Sequence, residues 1–355
     1  MNSPLQGGRK RGLGWDGPSL GGRRGTRGRL RRRLAVAAGL VAGVAGWLAF
    51  GDGDVGDSSR LGTLGVLTPG AEREPAPEGR PQPSRADEAA LSLGGRDEVA
   101  VEFEDPPAAG LLFDLDSGDV LWRRHAHDER PVASLTKIMT ALLVAEDLRR
   151  PRRQVEIGSD AAGLEASGGV LGSAVGLEAG MRVSVGALFH AMLISSANDA
   201  STALAIESAG SVARFVEGMN RRARRLELDC TRFVSAHGLE PENRSCAADL
   251  GALTRLAMAE PLIERVARKP RAVVDFPIAG GRRHLATTNP LLQEGYAGTI
   301  GLKTGFTEQA GSSLAAVVRR DGRTLGVVLL DSEDPSGQAE KLFEAVPSGG
   351  RPGRR

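Results

Sequence analysis

The sequence predicts an α+β fold, and three observations carry that reading. AGLLFDL and DVLWRR flank Asp116-Ser117-Gly118, while SLAAVVRR and RTLGVVLL flank Asp321-Gly322; both patterns are strand runs around turn-forming residues and read as β-hairpins. Between the two hairpins the apolar residues recur with helical rather than alternating period. Strands at both ends with helices inserted imply one antiparallel sheet closed by the two termini of the domain, with helices packed on it.

Taken in order, residues 1–33 hold ten arginines and lysines against the single acid Asp16, although the 355-residue chain has a net charge of only +2. Such a basic arm points to nucleic acid or a membrane surface, and the adjoining segment decides for the membrane. Residues 34–50, LAVAAGLVAGVAGWLAF, form an uncharged run of seventeen directly after RGRLRRR. Its length is at the short end of what spans a bilayer. Basic residues before it and none just beyond are the positive-inside signature, which puts 1–33 in the cytoplasm and the rest outside. No small-x-small cleavage site comes after it, so an uncleaved signal anchor is expected, with a secreted form after signal cleavage as the alternative. Arg23-Arg24 also permits a twin-arginine signal.

Residues 51–98 hold five prolines, no aromatic residue, and ten acids against five arginines. That composition cannot bury enough apolar surface to offset its ordering entropy and reads as a disordered linker. The folded domain is expected over 99–346, with a short disordered tail at 347–355. With 41% hydrophobic residues, the chain has material for one sizeable core. Phe113 and Trp122 read as packing on a sheet face. His190 falls inside an apolar helical stretch and reads as a core histidine. His125 and His127 have no third ligand in view, so no metal site is expected there.

Within the domain, ASLTKIMTALL places Leu135, Ile138, Met139, Leu142 and Leu143 on one helical stripe. Ser134 and Lys137 lie three residues apart, on one face of its first turn. A serine hydroxyl becomes a nucleophile when a base takes its proton, and a lysine is that base when desolvation or a nearby cation lowers its pKa. A helix starting at Ser134 would also aim free backbone N–H groups at the reacting centre. Taken alone, Ser-x-x-Lys is equally an N-capping serine with a snorkelling lysine.

Ser196-Ala197-Asn198 falls on a tight connection between the apolar stretch 185–194 and an alanine-rich helix ending near Gly210. Asn198 or Asp199 could simply cap the second helix. A serine there can instead shuttle a proton, while the Asn amide bonds a substrate amide and the Lys137 amine. Lys303-Thr304-Gly305 ends the strand-like TIGLKTG. Beside a serine nucleophile, Lys303 offers a cation for a substrate carboxylate and depresses the pKa of Lys137, and Gly305 lets the backbone approach a ligand.

Ser-x-x-Lys, Ser-x-Asn and Lys-Thr-Gly in this order, with ASLTKIMTALL, SSANDAS, FVEGMN, TRFVSAHGL, SCAADL and GLKTGFTEQAGSSL between Ala108 and Leu342, resemble the D-alanyl-D-alanine carboxypeptidases among the low-molecular-weight penicillin-binding proteins. The resemblance implies the β-lactamase/transpeptidase-like fold, including a helical subdomain, and serine-type trimming of the terminal D-alanine from peptidoglycan stem peptides. It implies that Ser134 attacks the carbonyl, Lys137 is the general base and Ser196 passes a proton to the departing amine. Asn198 would hold the substrate amide, and Lys303 with Thr304 would bind its carboxylate. The backbone N–H groups of Ser134 and Phe306 would form the oxyanion hole. The partners implied are the stem peptide and inhibitory β-lactam antibiotics; no cofactor, metal or nucleic acid is implied.

Some relatives carry an arginine after the last strand, whereas DSEDPSGQAEK has none, which leaves Lys303, Thr304 and Thr307 for the carboxylate. Glu240-Pro241-Glu242-Asn243 resembles the loop of class A β-lactamases that holds a deacylating glutamate, so a β-lactamase is one alternative. A transpeptidase or endopeptidase and a catalytically idle peptidoglycan-binding module are the others. His237 lines the cleft or pins its loop. The only cysteines, Cys230 and Cys246, flank TRFVSAHGLEPENRS and would lie outside the membrane, where disulfides persist. A bridge is expected, with two separate buried thiols as the alternative.

Overall fold

The computed structural model describes residues 85–148, 150–162 and 174–348, all within the second of two units, 76–355. The basic arm 1–33, the apolar run 34–50, the linker as far as residue 84 and the tail from 349 lie outside the described residues. No described helix is long and apolar enough to cross a membrane.

In chain order, α1 (Arg85–Ala89) precedes β1 (Ala109–Asp114), β2 (Val120–Arg124) and β3 (Arg130–Pro131). A 3-10 turn, Ala133–Thr136, leads into α2 (Lys137–Asp147), followed by β4 (Gln154–Glu156) and β5 (Arg182–Ser184). Helices α3 (Val185–Ile194), α4 (Asn198–Ala209) and α5 (Val212–Arg225) come next, then β6 (Arg244–Ser245), α6 (Ala247–Ala259) and α7 (Pro261–Ala267). The ribbon β7 (Arg271–Asp275) and β8 (Arg282–Ala286) precedes α8 (Pro290–Glu294), β9 (Thr299–Thr307), β10 (Gly311–Arg320), β11 (Arg323–Leu330) and α9 (Pro335–Glu344).

The five-stranded sheet has the order β2-β1-β11-β10-β9, and every pairing in it is antiparallel. The first and last strands are neighbours, with Ala109 opposite Leu330, as expected for a sheet closed by both ends of the domain. Asp321 and Gly322 have φ values of 51° and 74°, the primed turn that matches strand twist. The first hairpin is held by the buried Asp114 carboxylate, which accepts from Asp116 N (2.9 Å), Ser117 N (3.1 Å) and Arg323 Nε (2.9 Å). Burial opposes ionisation of Asp114, yet these donors hold its pKa below the usual aspartate value.

Alternation along the strands splits the core in two. Leu111, Phe113, Val317, Val328 and Leu330 face the helices, joined there by Leu135, Ile138, Met139 and Leu142. Leu112, Leu314, Ala316, Val327 and Leu329 face the other way, against Leu342 and Phe343 of α9. Each large side chain among these contributes about 1.5–3 kcal/mol by leaving water, so the central strands are anchored from both faces. The helix ends carry local signals. Ser184 accepts from Ala187 N (3.2 Å) ahead of α3, and Asp334 accepts from Gly337 N (2.9 Å) ahead of α9.

Three expectations change. The folded body begins before Val99, because Ala89 is buried, Leu91 and Leu93 pack on the helical core, and Ser92 N donates to Gly118 O (2.8 Å). Residues 85–98 are therefore not part of a disordered linker: a few leucines and alanines in an otherwise polar stretch reach a core built elsewhere. Helix α2 starts at Lys137 rather than Ser134, after the tighter 3-10 turn. The Lys-Thr-Gly motif lies inside a nine-residue strand rather than at its end.

Cys230 and Cys246 are bonded to each other, with Cα atoms 5.6 Å apart, within the normal disulfide range. The bond closes the loop 231–245 onto the start of α6. Closing about fifteen residues stabilises by on the order of 3 kcal/mol in the chain-entropy account. Cys230→Ser and Cys246→Ser should each lower Tm by a similar amount, roughly 5–10 °C for a domain of this size, and the double variant should be little worse than either single one. Additive losses in the double variant, or two alkylatable thiols in the unreduced wild type, would contradict the bridge.

Candidate active site

The site begins with a lysine that has lost its water. Lys137 is 0% exposed, and its Nζ is 2.7 Å from Ser134 Oγ, 2.8 Å from Asn198 Oδ1 and 2.7 Å from His237 O. Burial pulls its pKa well below the usual lysine value, the Lys303 charge pulls the same way, and Asp199 and Glu240 oppose. A neutral amine has two N–H donors and one lone pair. Asn198 Oδ1 and His237 O can only accept, so they take both donors and leave the lone pair facing the Ser134 hydroxyl. This is the geometry of a base poised to take that proton.

Each partner comes from a different segment held by its own device. Ser134 sits in the 3-10 turn behind Ala133, a non-glycine residue at φ 45°. Asn198 opens α4 after Ser196 at φ 60°, and the cap of that helix is Ala197 rather than Asn198 or Asp199. Asp199 is buried and instead accepts from Val175 N (3.0 Å) and Leu177 N (3.0 Å), pinning a neighbouring loop. Ser196 is 7% exposed and makes no hydrogen bond among the described residues.

The His237 carbonyl is delivered by the loop that the disulfide closes. Buried Asn243 braces it: Oδ1 accepts from Val234 N (3.0 Å) and Ser235 N (3.2 Å), Nδ2 donates to Glu240 O (3.0 Å), and its own carbonyl accepts from Val132 N (3.0 Å). Gly238, at φ 89°, lies so close to the 3-10 turn that a Cβ would collide with the Ala133 carbonyl. The His237 ring is held near pKa 4, chiefly by burial, with Glu240 opposing and Lys137 adding to the shift. It is therefore neutral at physiological pH.

Lys303 is 1% exposed, its Nζ donates to Thr304 O (2.8 Å), and burial brings its pKa to about 7. Thr304 Oγ1 donates to Thr288 Oγ1 (2.6 Å). A Cβ at Gly305 would lie 2.9 Å from Val132 O and 3.2 Å from Ser134 N, so the missing side chain is what lets β9 touch the 3-10 turn. Phe306 is exposed on this edge strand, while Thr307 Oγ1 accepts from Ala310 N (3.1 Å) in the turn to β10. The stretch after β11 has no arginine of its own, but Arg130 Nη1 reaches Asp331 Oδ2 there at 3.3 Å.

The fold thus brings Ser134, Lys137 and Asn198 into direct contact and carries Gly305 against them. Sequence reasoning missed the His237 carbonyl and the clamps Asn243 and Asp199. A backbone acceptor leaves no mark on a sequence, although an acid in the first turn of a buried alanine-rich helix was a usable sign for Asp199. Among the described residues, the one group spaced for metal ligation is His127, Cys230 and Cys246, within 4.8 Å of one another. With the sulfurs bonded to each other, neither is a free thiolate ligand.

Comparison with known proteins identifies the family. The D-alanyl-D-alanine carboxypeptidase family pattern matches residues 104–334. The D-alanyl-D-alanine carboxypeptidase DacD of Escherichia coli K12 is 34% identical over 237 residues, 65% of this chain. This chain spans 60% of that relative's length. The crystal structure of penicillin binding protein 6B from Escherichia coli superposes with a TM-score of 0.63 at 30% identity, covering 70% of this chain and 81% of that one. A variant of the Streptomyces K15 DD-transpeptidase does so with a TM-score of 0.64 at 26% identity, covering 69% and 98%. By the family match, the overlap with these relatives and the shared sheet-and-helix fold, the chain belongs to the D-alanyl-D-alanine carboxypeptidase family.

Proposed function

We propose that this chain is a serine-type D-alanyl-D-alanine carboxypeptidase that removes the terminal D-alanine from peptidoglycan stem peptides. The observation that carries the proposal is the buried Lys137 amine 2.7 Å from Ser134 Oγ, its two other partners both pure acceptors. Ser134 Oγ attacks the carbonyl carbon of the D-Ala-D-Ala bond as its proton passes to Lys137 Nζ. The oxyanion that forms is met by the backbone N–H groups of Ser134 and Phe306. When the C–N bond breaks, Ser196 relays the proton to the departing amine. Asn198 Nδ2, unused among the described residues, holds the substrate amide, and Lys303 with Thr304 binds the terminal carboxylate. Water then cleaves the Ser134 ester. A β-lactam takes the same path to the ester and leaves slowly.

Transfer of the acyl group to an amine, as in a transpeptidase, shares the first half of this path, and the structural likeness to a DD-transpeptidase keeps it as the second reading. A class A-like β-lactamase is disfavoured. Glu240 is engaged inside its own loop, accepting from Asn243 Nδ2 (3.2 Å) and lying 3.7 Å from His237 Nδ1. An idle binding module would have no use for a lysine base kept neutral by burial. The basic arm and the apolar run 34–50 support a catalytic domain outside the cytoplasm, tethered to the membrane by its N-terminal segment.

These roles have measurable outcomes. Penicillin should add its mass at Ser134, Ser134→Ala should abolish the adduct, and Lys137→Ala should slow acylation by about 10²- to 10⁴-fold. Incubating the wild type with a stem pentapeptide should release D-alanine. An adduct that survives Ser134→Ala, or near-normal acylation by Lys137→Ala, would overturn the assignment. Full-length protein should remain with membranes through a high-salt wash; recovery of a soluble form beginning beyond residue 50 would show cleavage instead.

The pH profile of kcat/KM should be bell-shaped. The acid limb reports Lys137, which must lose its proton to act as base, so the rate rises as pH climbs through its depressed pKa. The alkaline limb reports Lys303, which must keep its proton to bind a carboxylate, so the rate falls as pH rises through about 7 in the free enzyme. Replacing Lys303 with methionine should lower the rate and remove the alkaline limb. A limb unchanged in that variant would refute the role of Lys303.

A further inference from the structure

Among the described residues, three large hydrophobic side chains are exposed: Val234 (36%), Val273 (52%) and Phe306 (51%). All three stand on elements joined to the site. Val234 precedes Ser235 in the loop that presents the His237 carbonyl, and Phe306 comes directly after Gly305 on β9. Val273 lies on the β7–β8 ribbon, whose inner face, with Ala272, Val274 and Leu285, packs on the helical core. The base of this ribbon is tied into the site's rim from both sides. Ser195 Oγ donates to Ala286 O (3.2 Å), Thr288 N donates to Ile194 O (3.2 Å), and Thr304 Oγ1 donates to Thr288 Oγ1 (2.6 Å).

The outer face of the ribbon pairs Arg271 with Ala286, Val273 with His284, and Asp275 with Arg282. Arg271 and Arg282 are exposed on this face, whereas half-buried Arg283 lies opposite Val274 on the inner one. None of these three guanidinium groups makes a hydrogen bond or ion pair among the described residues, whereas Arg123, Arg153, Arg222, Arg244, Arg319 and Arg323 all hold carboxylates. One acid, Asp275, accompanies them on the ribbon. Lys303 is the cation assigned above to the terminal carboxylate, which leaves the exposed Arg271 and Arg282 available for carboxylates elsewhere on the same ligand.

We propose that the β7–β8 ribbon, with Val234 on the disulfide-closed loop and Phe306 on β9, is the recognition surface for the peptide preceding the scissile bond, and that it selects stem peptides carrying free carboxylates over those in which these are amides. The inference rests on the D-alanine-releasing function proposed above and names its substrate class. Guanidinium groups match carboxylates as planar forks and lose that match when the oxygen is replaced by an amide nitrogen. The aliphatic parts of the peptide cover Val273, Val234 and Phe306.

The test uses two pentapeptides ending in D-Ala-D-Ala that differ only in whether the carboxyl groups upstream of the scissile bond are free or amidated. In the wild type kcat/KM should favour the acidic peptide by about three- to tenfold, the size expected of two exposed charge pairs. The preference should shrink as salt is raised toward about 1 M, where the Debye length falls to about 3 Å. The double variant Arg271→Ala/Arg282→Ala should bring the ratio toward one while penicillin acylation of Ser134 stays unchanged, and the double lysine variant should retain part of the preference. Equal rates on both peptides in the wild type, or a preference that survives loss of both arginines, would overturn the ribbon's role alone. No D-alanine from either peptide together with no penicillin adduct would overturn the underlying function as well.

Discussion

Taking the Lys137 amine out of water while giving it three oxygen partners is the constraint around which this domain is arranged. A buried ammonium without a counter-charge is so costly that the group sheds its proton instead. Shedding it is useful only where the lone pair points at a hydroxyl. Three segments distant in sequence must therefore converge within hydrogen-bond reach of one atom: the 3-10 turn, the start of α4 and the loop 231–245. Two of them meet the demand with non-glycine residues at positive φ, Ala133 at 45° and Ser196 at 60°. Such conformations cost of order 1–3 kcal/mol each and persist where the surroundings over-determine them. The two-sided packing of the sheet and the filled helical core supply those surroundings.

Much of this was legible before the fold was known, for identifiable reasons. Turn residues between alternating runs marked both hairpins, and the period of Leu135, Ile138, Met139 and Leu142 marked α2. Ser-x-x-Lys, Ser-x-Asn and Lys-Thr-Gly are fixed spacings of side chains, so Ser134, Lys137, Ser196, Asn198 and Lys303 stood out as candidates. What stayed hidden depends on backbone and on long-range packing. The 3-10 start of α2 is shaped by contact with Gly238, about a hundred residues later. The structured stretch 85–98 owes its order to a hydrophobic surface completed elsewhere, which its own composition could not announce.

Electrostatics knit the site to its surroundings. Lys303 contributes to the low pKa of Lys137 while its own pKa is pulled down by burial. The two cations are therefore partial substitutes: whichever is protonated makes protonation of the other harder. A bound carboxylate would hold the proton on Lys303 while offsetting the effect of that charge on Lys137, which leaves burial, the first cause of its low pKa, to keep the amine neutral.

The third partner of Lys137, the His237 carbonyl, has a different consequence. Side chains can be exchanged by a single codon change, whereas a main-chain oxygen is present whatever residue occupies position 237. Inherited variation in this contact must therefore act by shifting the loop, through the residues that brace it, Asn243 and Gly238. On the proposed mechanism, selection under an acylating antibiotic would find few routes here, because displacing the carbonyl would also disturb the proposed base. The contact least visible in the sequence is the one that drift can least easily edit.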